Sequence, residues 1–128
     1  MTNSINKQII DLIKPNQRVL DCGCGQGDLL KALISKKNIS GYGIDNKSEH
    51  IISCLQKGLS VYHGDIAEGL SQFPKDSFDV VILSSTLQQI ADPYAIMLAM
   101  TDIADSAIVT FPNFAYWRCR LSLFRGYI

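Results

Sequence analysis

Apolar positions along this chain follow two rhythms that alternate. Ile5, Ile9, Leu12 and Ile13 recur at helical spacing behind Ser4, which predicts a helix capped by that serine and broken at Pro15 and Asn16. Residues 18–22 then read as a buried strand. Glycines follow, and Leu29, Leu30, Leu33 and Ile34 return to helical spacing. Residues 41–45 predict a short second strand. Asn46 and Glu49 resemble a capping box opening a helix to Lys57, with Gly58 as its C-terminal stop. Residues 59–63 read as a third strand, and 77–84, with the core FDVVIL, as the fourth. A turn of helix is expected between them, around 67–72. Asp92 caps the next helix and Pro93 occupies its first position, where a missing N–H costs nothing. Ile96, Met97, Met100 and Ile103 form its inner face, and residues 105–111 make a fifth strand. Leu121, Leu123 and Phe124 predict a terminal helical segment.

Strands alternating with helices predict an α/β, doubly wound, mostly parallel sheet of about five strands with helices on both faces. A length of 128 residues suits one domain spanning 1–128. Such a chain buries roughly two-thirds of its unfolded surface, enough for a real core. With 47% hydrophobic residues and no low-complexity tract, long disorder is not expected. Lysine plus arginine number 12, as do aspartate plus glutamate, so nothing points to nucleic-acid or membrane binding. No apolar run reaches the roughly 18 residues of a membrane span. The first seven residues are polar and lack a secretion signal's apolar core, so a cytoplasmic protein is expected. Cys22 and Cys24 form a lone C-x-C without a second ligand pair, and small reduced thiols are expected rather than zinc.

The richest constellation is VLDCGCGQGD at 19–28, between a predicted strand and a predicted helix. Gly23, Gly25 and Gly27 suit backbone that takes positive φ or approaches a ligand closely. Asp21 and Asp28 flank these glycines, and two carboxylates beside the loop would repel a pyrophosphate. The lysine of a phosphate-binding P-loop is also missing. A ligand with a positive centre fits better than NAD or ATP. Asp45 ends the second strand, 22 residues beyond Gly23, near the spacing of a ribose-binding acid. Asp65, after His63 and Gly64, could receive an exocyclic adenine amine. Each acid could equally be a helix cap or a solvated turn, and their joint position at the carboxyl edge of the sheet carries the weight.

These segments resemble the class I S-adenosylmethionine (SAM) dependent methyltransferases, which are Rossmann-like, and within them the MetW family of methionine biosynthesis. The resemblance rests on VLDCGCGQGDLL at 19–30, GYGID at 41–45, DSFDVVILSSTLQ at 76–88 and FPNFAYWRCRL at 111–121. It implies SAM or S-adenosylhomocysteine as cofactor. The implied contacts are Asp21, Gly23, Cys24, Gly25 and Gly27 in the loop, Asp45 and Asn46 after strand two, Asp65 and Ile66 after strand three, and Ser84 at the end of strand four. It implies a homoserine O-acyltransferase as partner. An active methyltransferase on an unknown small molecule and a cofactor-free scaffold remain the alternatives. Lys47 stands where relatives often carry an acid, leaving Asp45 as the ribose ligand. The resemblance also implies further C-terminal strands, so a C-terminally shortened domain is expected, with the fifth strand exposing an edge open to a partner or a homodimer.

No side chain recommends itself as a general base: His50 and His63 read as structural or solvent-facing, and in-line methyl transfer can proceed by positioning alone. Ser84, Ser85, Thr86 and Gln88 are candidates for the acceptor side or for plain loop hydrogen bonding. Charge is uneven, with 9 basic and 12 acidic residues in 1–105 against Arg118, Arg120 and Arg125 and no acid in 106–128. Phe111, Phe114, Tyr116, Trp117, Phe124 and Tyr127 share that stretch. Aromatics interleaved with arginine suit either a sheet cover or a protein partner; three arginines are few for single-stranded nucleic acid.

Overall fold

A computed structural model describes residues 2–84, 92–111, 113 and 115–125. Helix α1 (Thr2–Leu12) leads into β1 (Arg18–Cys22), α2 (Asp28–Lys37), β2 (Ser40–Asp45), α3 (Ser48–Gln56) and β3 (Val61–His63). The chain continues through α4 (Ile66–Leu70), β4 (Phe78–Ser84), α5 (Pro93–Ile103), β5 (Ala104–Thr110), β6 (Tyr116–Arg120) and α6 (Ser122–Arg125). The sheet order is β3-β2-β1-β4-β5-β6. Five strands are parallel, and β6 runs antiparallel to β5. This is the expected doubly wound α/β architecture. The chain winds outward from β1 to β3, then crosses back to β4 beside β1. The carboxyl ends of β1 and β4 therefore flank the topological switch point, where open α/β sheets hold ligands.

Alternation along the central strands builds two apolar layers. Val80 and Ile82 of β4 join Val19 and Ile108 beneath α1 and α2, packed with Ile9, Ile13, Leu30 and Leu33. Val81 and Leu83 face the other way, with Leu20, Ile44, Ile96 and Met100. Strands buried on both faces read as continuous apolar runs, which is why FDVVIL was legible as a strand. At the amino edge, Arg18 ties β1 to β4: its backbone N–H and guanidinium both reach the Asp79 carboxylate, at 2.7 and 3.0 Å. No helix among the described residues is long and apolar enough to cross a membrane.

Several local expectations change. Helix α1 starts at Thr2, so Ser4 lies inside its first turn rather than capping it. The N-cap of α3 is Lys47, without a side-chain cap, so Asn46 and Glu49 form no capping box. The expected caps at Asp92 and Pro93 hold, with Asp92 Oδ1 accepting from Ala95 N at 3.1 Å. The sheet has a sixth strand: residues 116–120 pair with 106–110 and cover the edge that β5 was expected to expose. Tyr116, Trp117, Arg118 and Arg120 remain exposed there, and an exposed strand shows little alternation to betray it. Ser85, Thr86, Leu87, Gln88, Phe114 and Tyr127 lie outside the described residues.

Candidate functional site

The loop between β1 and α2 requires its glycines. Gly23, Gly25 and Gly27 take φ of 77°, 58° and 88°, the left-handed region. At Gly27 an added Cβ would also press into the Leu59 side chain, whereas Gly25 faces open space. The loop's donors turn inward. Gly23 N and Cys24 N both donate to Ile44 O, at 2.8 and 3.1 Å, and Gly27 N donates to Cys24 O at 3.1 Å. Gly25 N donates to Asp45 Oδ2 at 2.9 Å. These four N–H groups are committed to the protein, so the loop does not offer the row of donors that cradles a diphosphate.

Beside this loop, at the switch point, lies a cavity of about 220 Å³. Ile5, Asn6 and Ile9 of α1 wall it on one side, with Gly23, Cys24, Gln26, Asp28 and Leu29 on another. Asp21, Ser84 and Thr110 contribute from β1, β4 and β5. Two carboxylates and no basic residue are among its described lining. Asp28 is largely exposed and offset by Lys57 Nζ at 3.1 Å. Asp21 differs: it is 2% exposed. Burial, and to a lesser degree the nearby Asp45 charge, push its carboxyl up to about 7, against a partial offset from the Ser84 hydroxyl, which donates across 3.5 Å. A carboxyl so placed favours a guest that brings positive charge.

Asp45 has a different position. It is 9% exposed and accepts three hydrogen bonds, from Gly25 N on Oδ2 and from Lys47 N and His50 Nδ1 on Oδ1, at 2.9, 2.9 and 3.0 Å. It joins the glycine loop to the start of α3. Cys24 and Cys54 pack behind the loop with their sulfurs 4.0 Å apart, and burial raises both thiols. Among the described residues, no three His, Cys, Asp or Glu side chains converge as a metal would require.

The fold thus brings Asp21, Gly23, Cys24 and Ser84 to the cavity. Gly25 and Asp45 are joined to each other beside it, and Gly27 serves packing. Asn46 is exposed, its carbonyl 3.3 Å from His63 Nε2. Asp65 caps α4, accepting from Glu68 N at 2.7 Å, and Ile66 is half-buried against the core. Sequence reasoning missed Ile5, Asn6, Ile9 and Thr110 as lining, and missed His50 as the partner of Asp45. The periodicity of α1 showed an apolar face, but nothing local says what that face covers.

The profile of the family described as "Methionine biosynthesis protein MetW" matches residues 4–127. The "Bifunctional methionine biosynthesis protein MetXA/MetW" of Rhodopirellula baltica is 32% identical over 126 residues, covering 92% of this chain and 20% of that protein. A "Ubiquinone biosynthesis O-methyltransferase" of Hahella chejuensis is 32% identical over 95 residues, 70% of this chain and 40% of that one. The chain therefore spans one-fifth to two-fifths of the length of these relatives. In three dimensions it is similar to a SAM-dependent methyltransferase from Archaeoglobus fulgidus, with TM-score 0.68, 24% identity, and coverage of 86% and 50% of the two chains. It is also similar to the [4+2]-cyclase SpnF, with TM-score 0.74, 16% identity, and coverage of 85% and 44%. These likenesses show the methyltransferase-type fold, which serves more than one chemistry. By its match along nearly the whole sequence, the chain belongs to the MetW family.

Proposed function

We propose that this chain binds S-adenosylmethionine, or S-adenosylhomocysteine, at the switch point, and acts with a homoserine O-acyltransferase in methionine biosynthesis. One observation carries the cofactor reading: Asp21 lies buried beside a cavity whose described lining has no basic residue, next to a loop four of whose N–H groups are bonded within the protein. That combination disfavours a diphosphate and suits the ammonium group of an amino-acid tail. Asp21, Ser84, Asn6 and Thr110 would hold the tail. Ile5, Ile9 and Leu29 would exclude water from it, and Asp45 would take the ribose. Gly23, Cys24, Gly25 and Gly27 would shape the loop between them, with Asn46, Asp65 and Ile66 on the adenine side. When bound, the cofactor supplies an activated methyl group. The residues described here bind and orient, and a base is not required for in-line transfer.

The R. baltica relative, whose name joins MetXA and MetW on one chain, supports joint action with the acyltransferase. The O-methyltransferase relatives support a second reading, an active methyltransferase on a small molecule. A second copy pairing through β6 is less favoured than a different protein. A two-fold antiparallel pairing centred on Arg118 sets arginine against arginine, and like charges opposite one another destabilise a ladder. Four cysteines in free form suit the reducing cytoplasm.

Calorimetry with S-adenosylhomocysteine tests the cofactor reading. Saturable binding that Asp21→Asn weakens is expected, with no binding of NAD or ATP. No heat from the intact protein overturns that reading and leaves the scaffold. Co-purification with a homoserine O-acyltransferase, with a rise in that enzyme's activity, tests the partner; turnover of SAM with a panel of metabolites would favour the second reading.

A further inference from the structure

The Asp45 carboxylate is nearly saturated before any ligand arrives. An ionised carboxylate offers about four lone-pair positions. Gly25 N takes one on Oδ2, and Lys47 N and His50 Nδ1 take two on Oδ1. Two of these donors are backbone, held by the loop and by the start of α3. His50, in the first turn of α3, is the one side-chain donor on this carboxylate among the described residues. An ionised carboxylate can only accept, so the proton of that bond sits on His50 Nδ1. One position remains, on Oδ2.

A ribose offers two vicinal hydroxyls. We propose that His50 is a positioning residue that restricts Asp45 to one of them, so that the site reads a single ribose hydroxyl rather than the diol. This rests on the nucleoside-binding reading above. Occupying the second position on Oδ1, His50 holds the carboxylate plane so that Oδ2 presents its remaining lone pair. Removing the imidazole frees an acceptor position without touching the backbone donors, and the second hydroxyl can then bond.

The test compares S-adenosylhomocysteine with its 2′-deoxy and 3′-deoxy analogues, by calorimetry, on the wild type, His50→Ala and His50→Asn. In the wild type, one analogue binds about tenfold more weakly than the parent, the loss of one hydrogen bond to a charged acceptor, and the other binds within about twofold. In His50→Ala both analogues bind about tenfold more weakly than the parent. In His50→Asn, whose side-chain amide can donate from nearly the same place, the wild-type pattern returns. A merely structural role for His50 would lower all three ligands together and leave their ratios unchanged. Equal losses for both analogues on the wild type overturn the proposal, as does an unchanged ratio in His50→Ala. No binding of S-adenosylhomocysteine to the wild type instead removes the nucleoside reading, and this inference with it.

Discussion

Replacing Asp21 with asparagine isolates the most unusual group in the site. In the folded protein its carboxyl keeps a proton up to about pH 7, against 3.8 for an ordinary aspartate. Below 3.8 both folded and unfolded chains hold the proton, and the group contributes nothing to pH dependence. Between the two values the unfolded chain has lost the proton that the folded chain retains. Stability therefore falls as pH rises through that window and levels off above about 7. The full difference corresponds to at most about 4 kcal/mol. Asp21→Asn keeps the shape and removes the ionisation. Urea unfolding should find the variant at least about 1 kcal/mol more stable than the wild type at pH 8, with the gap narrowing as pH falls and closing only below about pH 4. Binding shows the opposite sign. An ammonium group placed beside Asp21 draws the carboxyl into its ionised form, so wild-type affinity for S-adenosylhomocysteine should rise about tenfold or more from pH 5.5 to 7.5. The variant should bind more weakly with a flat profile. If the variant is less stable than the wild type at pH 8, the buried carboxylate is well satisfied and the reasoning fails. If the wild-type profile is flat, no positive centre lies beside Asp21.

Three further outcomes follow from the geometry. Asp45→Ala leaves the Gly25 and Lys47 amides without their acceptor, and should cost about 2 kcal/mol or more in denaturant unfolding as well as weakening ligand binding; faster hydrogen exchange at those two amides locates the effect. Gly27→Ala forces an L side chain into a left-handed position and into Leu59, and should lower stability by about 2 kcal/mol; a variant as stable as the wild type would mean the loop can relax. The Arg18 guanidinium and backbone N–H hold the Asp79 carboxyl below its usual value. Its contribution, about 1 kcal/mol for a partly exposed pair, is present above pH 4 and disappears as pH falls through the lowered value. Asp79→Ala should show that loss near neutral pH and none in strong acid.

How much of this was legible beforehand depends on the range of the interactions involved. The glycine loop could be read from 19–28 alone, because positive φ is a property of single residues that glycine satisfies. The five parallel strands and their helices could be read from periodicity, because burial on one or two faces imposes a period on neighbouring residues. Asp92 and Pro93 were legible for the same local reason. Strand β6 was not: its residues are mostly exposed, and its existence depends on the backbone edge of β5, more than five residues away in sequence and set by the sheet.

The carboxylates show the same division most clearly. Sequence alone put Asp21, Asp45 and Asp65 at the carboxyl edge of the sheet and read Asp45 as a ribose acid and Asp65 as an adenine contact, but could not tell which would be desolvated and which consumed by backbone donors. Tertiary structure separated them. Asp21 became a buried group beside a cavity because α1 folds over the carboxyl ends of β1 and β4. Asp45 became a junction because Gly25 N, Lys47 N and His50 all converge on it. Asp65 became a helix cap because the N–H groups of the α4 first turn had no other acceptor. Residue type and spacing determine which groups arrive at the edge of a sheet. Which of them are desolvated, and which are consumed by backbone donors, is decided only when distant segments pack together.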